Sequence, residues 1–544
     1  MKNLREKLKW HYIWALRGAL FLTIALVIIV RIRFLDVPLE RDEGEYAYMA
    51  RLMLEGVPPY LLAYSMKLPG IYVVYALIML LFGQTIAGIH LGLLCANVAT
   101  IILIYFVGKR LMGESAGVIS GISFAMFSIS PWIQGLWANS EHFVILPAVG
   151  GMLLLLKAYT KGRPLMFFLS GLLFGFAIIV KQHGMFFAIF AILYTFYLRL
   201  RNRSVVLPRL PNAEGLLAVG VAIPYVVTCA VLLAVGVFDK FWFWTVKYAS
   251  EYTRLTTLSS GIENFNLSAE AIGIPVLPLW LLSALGLTAF IWDRKSREHA
   301  AFLVGFLVFS FLAVCPGLYF RQHYFILLLP AASLFVARSV VSTNRVLRES
   351  KVPLLGFIPV IIFVFASTYG LYTQGDLLFK ADNRMLCRAV YENSPFPESI
   401  EIAKYIRKLT SEKDKIVVFG SEPQVPFYAH RRSAVPYIYT YPLVEVQQYA
   451  IEMQRDMIRL LDKAKPKYLI FFNMQSSWCI ARGSTNEVFG WFVNQIMNNY
   501  HTVGIIDILS PEFTLYLWDR DADGRGLPEQ HDIYIYERIA DSGG

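Results

Sequence analysis

Charge is what this sequence has least of. Only 16% of its 544 residues are Asp, Glu, Lys or Arg, while 56% are hydrophobic, and a soluble domain carries about 25% charged residues. That shortage excludes an ordinary soluble enzyme. Cysteine is also scarce: the five residues Cys95, Cys229, Cys315, Cys387 and Cys479 show no CxxC spacing, which argues against a thiolate metal cluster. Neither a Walker loop nor a GxGxxG fingerprint is present, which leaves no nucleotide-binding signature. The first apolar run, Ala15 to Val30, follows Lys2, Arg5, Lys7 and Lys9 and lacks a small-residue cleavage site, so it reads as a retained anchor with its N-terminus inside. The net charge of +11 does not point to nucleic acid, because most Lys and Arg lie in short loops between apolar runs, where the positive-inside rule accounts for them.

What is present is apolar length. A bilayer span needs about 20 apolar residues, and eleven stretches qualify: 14–32, 86–108, 116–136, 142–160, 164–180, 184–200, 215–237, 272–292, 300–316, 322–342 and 353–373. The expected architecture is therefore a polytopic α-helical membrane protein. The stretch 69–82 is ambiguous, since fourteen helical residues rise only about 21 Å. Keeping it on the outer side, as a juxtamembrane helix, places the basic clusters at 109–110, 157–163, 199–209, 294–297 and 338–351 in the cytoplasm. Apolar density stops near Gly370, which divides the chain into a membrane module, 1–373, with a first outer loop at 33–85, and an extracytoplasmic domain, 374–544. In the latter, Ile416–Gly420, Tyr468–Phe472, Thr502–Ile508 and Ile533–Tyr536 read as strands, and Glu398–Leu409, Leu443–Ala464 and Glu487–Asn498 as helices. The sequence predicts a soluble α/β fold there. Cys387 and Cys479 both lie in it, and a bridge between them is open in an oxidising compartment.

The few ionisable residues are sorted. The spans are almost free of them, which disfavours a transporter or a flippase of lipid-linked sugars, whose coupling groups sit near the midplane. They collect instead at the outer ends: Asp42, Glu43, Glu45 and Glu55, then Lys67, Glu141 with His142, Lys181 with His183, and Arg321 with His323. A non-catalytic scaffold would not require charges in four separate outer loops. Glu45, Arg51 and Glu55 are expected on a solvated face of an amphipathic surface helix from Glu43 to Leu54. Phe241-Trp242-Phe243-Trp244 is expected as an interfacial aromatic patch. Paired acids at Asp42 and Glu43 create a local field that needs a cation or a basic partner.

Asp42-Glu43-Gly44-Glu45-Tyr46-Ala47, followed by Lys67-Leu68-Pro69-Gly70 before a short apolar helix, resembles the first outer loop of GT-C glycosyltransferases of the protein mannosyltransferase and aminoarabinose transferase type, glycosyltransferase family 39 and its relatives. Ala138-Asn139-Ser140-Glu141 and Arg321-Gln322-His323-Tyr324, with Leu329-Pro330 after it, are similar to two later elements of that family. The likeness spans about residues 10 to 340. It implies transfer of a sugar from a polyprenyl-phosphate donor to an extracytoplasmic protein, lipid or glycan acceptor, with inversion. Inversion in one step needs a base on the acceptor and stabilisation of the departing phosphate. Asp42 is assigned as the base, Glu141 as a second carboxylate that orients the acceptor or shares a cation, and Glu43 as the fallback base. Lys67, Lys181 and Arg321 are assigned to the phosphate, with His183 and His323 as further donors. Met66 stands where the aminoarabinose branch has a metal-binding glutamate, so a metal, with His142 and His323 as conceivable ligands, is left open, as is any divalent cation. The sugar, the acceptor and the lipid length are not legible. Glu422, His430, Arg431 and Arg432 in the outer domain are expected in a solvated loop, and the domain itself is expected to roof the outer cavity or hold the acceptor.

Overall fold

The computed structural model describes residues 2–201, 207, 210–349, 353–523 and 531–539. Parts of the expected basic clusters 199–209 and 338–351 lie outside these residues. Among the described residues, nine helical segments are long and apolar enough to cross a membrane. Two of the eleven expected spans are shorter helices, Glu114–Ser128 and Pro164–Val180, so by length the count of eleven is not reproduced. Another is longer than expected: its apolar helical run extends back to Leu258. The stretch Gly70–Phe82 is a helix of 13 residues, about 20 Å long and too short to cross a bilayer. Leu77, Leu80 and Leu81 on it face outward.

The remainder of the chain forms an α/β domain around one six-stranded sheet: β1 (Lys415–Phe419), β2 (Arg432–Ser433), β3 (Tyr468–Phe472), β4 (Tyr500–Ile508), β5 (Thr514–Trp518) and β6 (Ile533–Arg538). The spatial order is β2-β1-β3-β6-β4-β5. β1 runs parallel to β2 and β3, while β3 with β6, β6 with β4, and β4 with β5 pair antiparallel. The four expected strands are there. β2 has two residues, too few to show a period, and β5 carries an alternation, Thr-Leu-Tyr-Leu-Trp, that is legible in hindsight. The expected helix 443–464 is broken into Tyr441–Val444 and Ala450–Ala464, with Glu445 in extended backbone between them. Cys387 and Cys479 are both free thiols.

The two parts are locked together by the first outer loop. Its helix, Arg41–Leu54, opens on a capping box in which Glu40 accepts from the Glu43 amide and Glu43 accepts from the Glu40 amide, so the acid-rich start satisfies its own free N–H groups and complements the helix dipole. Residues Glu43 to Leu52 are all buried. The surface-helix expectation therefore fails for Glu45 and Arg51 and holds for Glu55, which is partly exposed and paired with Arg432 at 2.8 Å. Burial comes from contact on both sides. Arg51 donates to the carbonyls of Pro426, Phe427 and Arg431, the Leu39 N–H donates to the Tyr428 hydroxyl at 2.8 Å, and Arg41 pairs with buried Glu422 at 2.5 Å. Glu422 and Arg431 are thus buried rather than in a solvated loop; His430 and Arg432 are exposed as expected.

Gly44 is where this docking is tightest. A Cβ there would lie 2.7 Å from both the backbone nitrogen and the Cβ of Gln424. Gly70 is a second such position, its Cβ falling 2.4 Å from the carbonyl oxygen of Ile179. Overpacking a close contact costs about 1–3 kcal/mol. Gly44→Ala is accordingly expected to lower the thermal midpoint and to speed proteolytic release of the C-terminal domain; an unchanged midpoint and digestion pattern would show that the contact gives way freely.

Candidate active site

The outer-end segments converge on a cavity of about 280 Å³. The first outer loop contributes Asp42, Glu45 and Lys67, the segment at the start of the tenth expected span contributes Arg321, His323 and Tyr324, and the C-terminal domain contributes Tyr437, Tyr439, Tyr441 and Glu445. Trp244 and Tyr248 also line it, so the expected aromatic patch is split: Trp242 faces outward, whereas Phe241 and Trp244 are buried. Trp244 stacks on Tyr64 at 5.1 Å.

Asp42 sits in the first turn of its helix, and both its oxygens are held. Lys67 Nζ donates to Oδ2 at 3.0 Å and the Tyr439 hydroxyl to Oδ1 at 2.9 Å. Burial pushes the carboxyl up, but Lys67 first, with His323 and Arg321 behind it, overrides burial and holds it well below the usual carboxylate range. Burial lowers Lys67, and Asp42 and Glu45 more than restore it, so the ammonium stays charged. Glu45, one turn along the same face, accepts from the hydroxyls of Ser65 and Tyr72. Burial, aided by the Asp42 charge, pushes it up to about 7. Glu445 accepts from Tyr248, and burial likewise raises it to about 7.

Asp42 and Lys67 neutralise each other, and burial raises both Glu45 and Glu445 toward their neutral forms. Arg321 is exposed to the cavity and makes no ion pair among the described residues. A guanidinium without an ion-pair partner in a cavity with low-dielectric walls favours an anion.

The remaining expected residues are placed differently. Glu43 is fully buried, its carboxylate occupied by the capping box, by His90 at 3.0 Å and by the Ala138 amide, and it does not line the cavity. Glu141 and Lys181 are buried and paired with each other, which leaves Lys181 no net charge to offer a phosphate; its ammonium also lies 4.2 Å from the Tyr324 ring centre. Lys181 and His183 line a second, more apolar cavity of about 400 Å³, which shares Met66, Lys67, Tyr252 and Tyr324 with the first and reaches Met185, Phe186 and Val246. His183 Nδ1 is 2.7 Å from the Ala313 carbonyl, so that nitrogen carries the proton. In the neutral ring Nε2 is then an acceptor, not the donor expected. His323 is similar: Nδ1 bonds the Gln134 Oε1 at 2.6 Å, and Nε2 is buried without a hydrogen-bond partner among the described residues. It suits a hydroxyl better than a phosphate oxygen. His142 is buried, and neither ring nitrogen has a hydrogen-bond partner among the described residues. Among the described residues no group of three or more His, Cys, Asp or Glu is placed to hold a metal, and Asp42 already has Lys67 as its counter-ion.

Glu45, Tyr439, Trp244 and Glu445 were not singled out from the sequence as site residues. One signal was available: Tyr437, Tyr439 and Tyr441 alternate, which puts three phenols on one side of an extended segment, and all three line the cavity.

Residues 67–228 match the family model of dolichyl-phosphate-mannose-protein mannosyltransferase. No curated protein matches the chain. Among solved structures, ArnT from Cupriavidus metallidurans bound to undecaprenyl phosphate is similar with a TM-score of 0.60 at 14% identity, over 97% of this chain and 99% of that one. The archaeal oligosaccharyltransferase AglB from Archaeoglobus fulgidus, in complex with an inhibitory peptide and a dolichol-phosphate, is similar with a TM-score of 0.56 at 11% identity, over 94% of this chain and 75% of that one. A nearly end-to-end likeness to ArnT gives this multi-pass membrane chain the GT-C fold, and the match to the mannosyltransferase family model covers the segment that opens at Lys67.

Proposed function

We propose that the chain transfers a sugar from a polyprenyl phosphate to an acceptor held beneath the C-terminal domain, on the extracytoplasmic face of the membrane and with inversion. The observation that carries this reading is the meeting of the two cavities at Lys67 and Tyr324. The apolar one suits a prenyl chain, the polar one suits a sugar, and Lys67 and Arg321 flank the place where a phosphate would join them. The presence of undecaprenyl phosphate in the ArnT structure and of dolichol-phosphate in the AglB structure supports a lipid phosphate as donor.

Asp42 then takes the proton of the acceptor hydroxyl or amine. The acceptor atom bonds to the anomeric carbon from the face opposite the leaving group, and the carbon–oxygen bond to phosphate breaks with its electron pair remaining on the polyprenyl phosphate. Lys67 and Arg321 stabilise that oxyanion. Entry of the donor phosphate draws Lys67 away from Asp42, which frees the carboxylate for the acceptor. Glu141 acts at one remove, by holding Lys181 against Tyr324, and Glu43 by fixing the helix start that carries Asp42.

The test is reconstitution in liposomes with a polyprenyl-phosphate sugar and cell-envelope acceptor fractions. Sugar transfer with release of polyprenyl phosphate is the expected result; transbilayer movement of intact lipid-linked sugar without transfer would favour a flippase. Within that assay Arg321→Ala is expected to raise the KM for donor about 10- to 100-fold, the loss of one charge-assisted bond, while the acceptor KM changes little. An unaltered donor dependence would remove Arg321 from the phosphate site.

A further inference from the structure

A third cavity lies at the other end of the membrane module. Its volume is about 720 Å³ and its walls carry Arg294, Lys295, Arg297, Arg338 and Arg345 against a single lining acid, Glu298. Helix Leu329–Arg348 connects the two sites: it starts beside the catalytic cavity's Tyr324, and Arg345, sixteen residues beyond Leu329, lies about 24 Å further along. No role in transfer reaches it.

Several of its cations are structurally committed, which is what gives the cavity fixed walls. Arg345 donates to both oxygens of Asp293, at 3.0 and 2.8 Å. Arg297 donates to the carbonyls of Phe290 and Ile291 at the end of the preceding helix. Arg338 is 1% exposed, with its guanidinium against the Phe290 ring. Arg294 and Lys295 are exposed and make no ion pair among the described residues. A solvated charge run would leave all five in water; here one is fully buried, two are pinned and two are left to face a ligand. Apolar surface borders the rim: Ile291 is 76% exposed, and Leu287 and Trp292 are exposed on the same helix.

We propose that this cavity binds the phosphate-bearing headgroup of an anionic membrane phospholipid, with its acyl chains along the exposed Leu287 and Ile291 side. Basic pockets between membrane helices are suited to such headgroups, and a neutral or zwitterionic headgroup would leave the excess of positive charge uncompensated. The geometry needs no contribution from the catalytic cavity, so this proposal stands or falls separately from the transfer reaction.

The experiment is thermal unfolding of the full-length purified protein in mixed micelles containing phosphatidylglycerol, phosphatidylcholine alone, or phosphatidylcholine with inorganic phosphate. Phosphatidylglycerol is expected to raise the midpoint by about 3 °C over the other two. The double variant Arg294→Gln, Lys295→Gln, which leaves the Arg345–Asp293 pair and Arg338 in place, is expected to keep its midpoint in phosphatidylcholine and lose at least half of the phosphatidylglycerol shift. Native mass spectrometry should show the same loss as fewer retained phosphatidylglycerol adducts, which keeps the test sharp if the variant is destabilised. An equal shift with phosphatidylcholine, a full shift from inorganic phosphate, or identical adducts in protein and variant would each overturn the proposal.

Discussion

Asp42→Asn is expected to reduce turnover by about 10²–10⁴-fold, the range over which a positioned base acts, with expression and fold intact. Asparagine keeps an oxygen that accepts from the Tyr439 hydroxyl, so the geometry at Oδ1 survives; what disappears is the proton acceptor and the counter-charge to Lys67. The loss should therefore fall on kcat, while donor binding is retained or tightened, because Lys67 no longer has to leave Asp42 to meet the phosphate. A discontinuous transfer assay with separate measurement of donor binding distinguishes these. Turnover close to that of the unaltered protein would move the role to another carboxylate, and Glu45, one turn away in the same cavity and pushed up to about 7, is the first alternative. Glu43 is not, since its carboxylate is fully used in positioning the helix start.

Lys67→Gln is the second large effect, with an expected fall in kcat/KM of about 10²–10³-fold, comparable to removing one donor to a developing oxyanion. It carries a signature that a merely structural change would lack. Lys67 is the main group that holds Asp42 below the usual range against burial. Without it the Asp42 carboxyl rises, and activity must then fall as pH drops through the new value, because only the ionised carboxylate accepts a proton. The unaltered protein should show no such acid limb from Asp42 near neutral pH. Lys67 also contributes its backbone carbonyl to the Tyr60 hydroxyl at 2.7 Å, a contact that the substitution leaves in place. A pH profile parallel to that of the unaltered protein would contradict the assignment of Lys67 as the partner of Asp42.

Much of this site was legible because so few residues are charged. In a chain with apolar spans, Asp42, Lys67 and Arg321 stand out, and the structure brings these three into one cavity. The reading failed where a side chain's partner comes from far along the chain. Glu45 and Arg51 have a spacing that suits a wet helix face; Arg51 is instead held by carbonyls of the segment 426–431, nearly 400 residues away in sequence, and Glu45 by the hydroxyls of Ser65 and Tyr72, and local periodicity carries no information about either. Lys181 and Glu141 were legible as charges at the outer end but not as partners of each other, so a cation that seemed available for phosphate is already neutralised. The donor or acceptor role of the histidines was not legible for a related reason: which ring nitrogen holds the proton depends on the Ala313 carbonyl and the Gln134 side chain. In the outer domain, patterning located the long strands and helices, and the short break that aims Glu445 inward lay below its resolution.

The tight seat of Gly44 against Gln424 bears on how such a protein could be retargeted. Asp42 rides on a helix whose other flank packs against the C-terminal domain, so under the proposed reaction acceptor choice and the placement of the base would share one piece of scaffold. Grafting a foreign C-terminal domain to redirect the enzyme would strip that flank, and with it the fit at Gly44, the Arg41–Glu422 pair and the Arg51 anchor. A new acceptor is better sought by exchanging single cavity-lining side chains such as Tyr437, Tyr441 or Glu445, which change what the cavity admits while leaving the contact of the Asp42 helix with the C-terminal domain untouched.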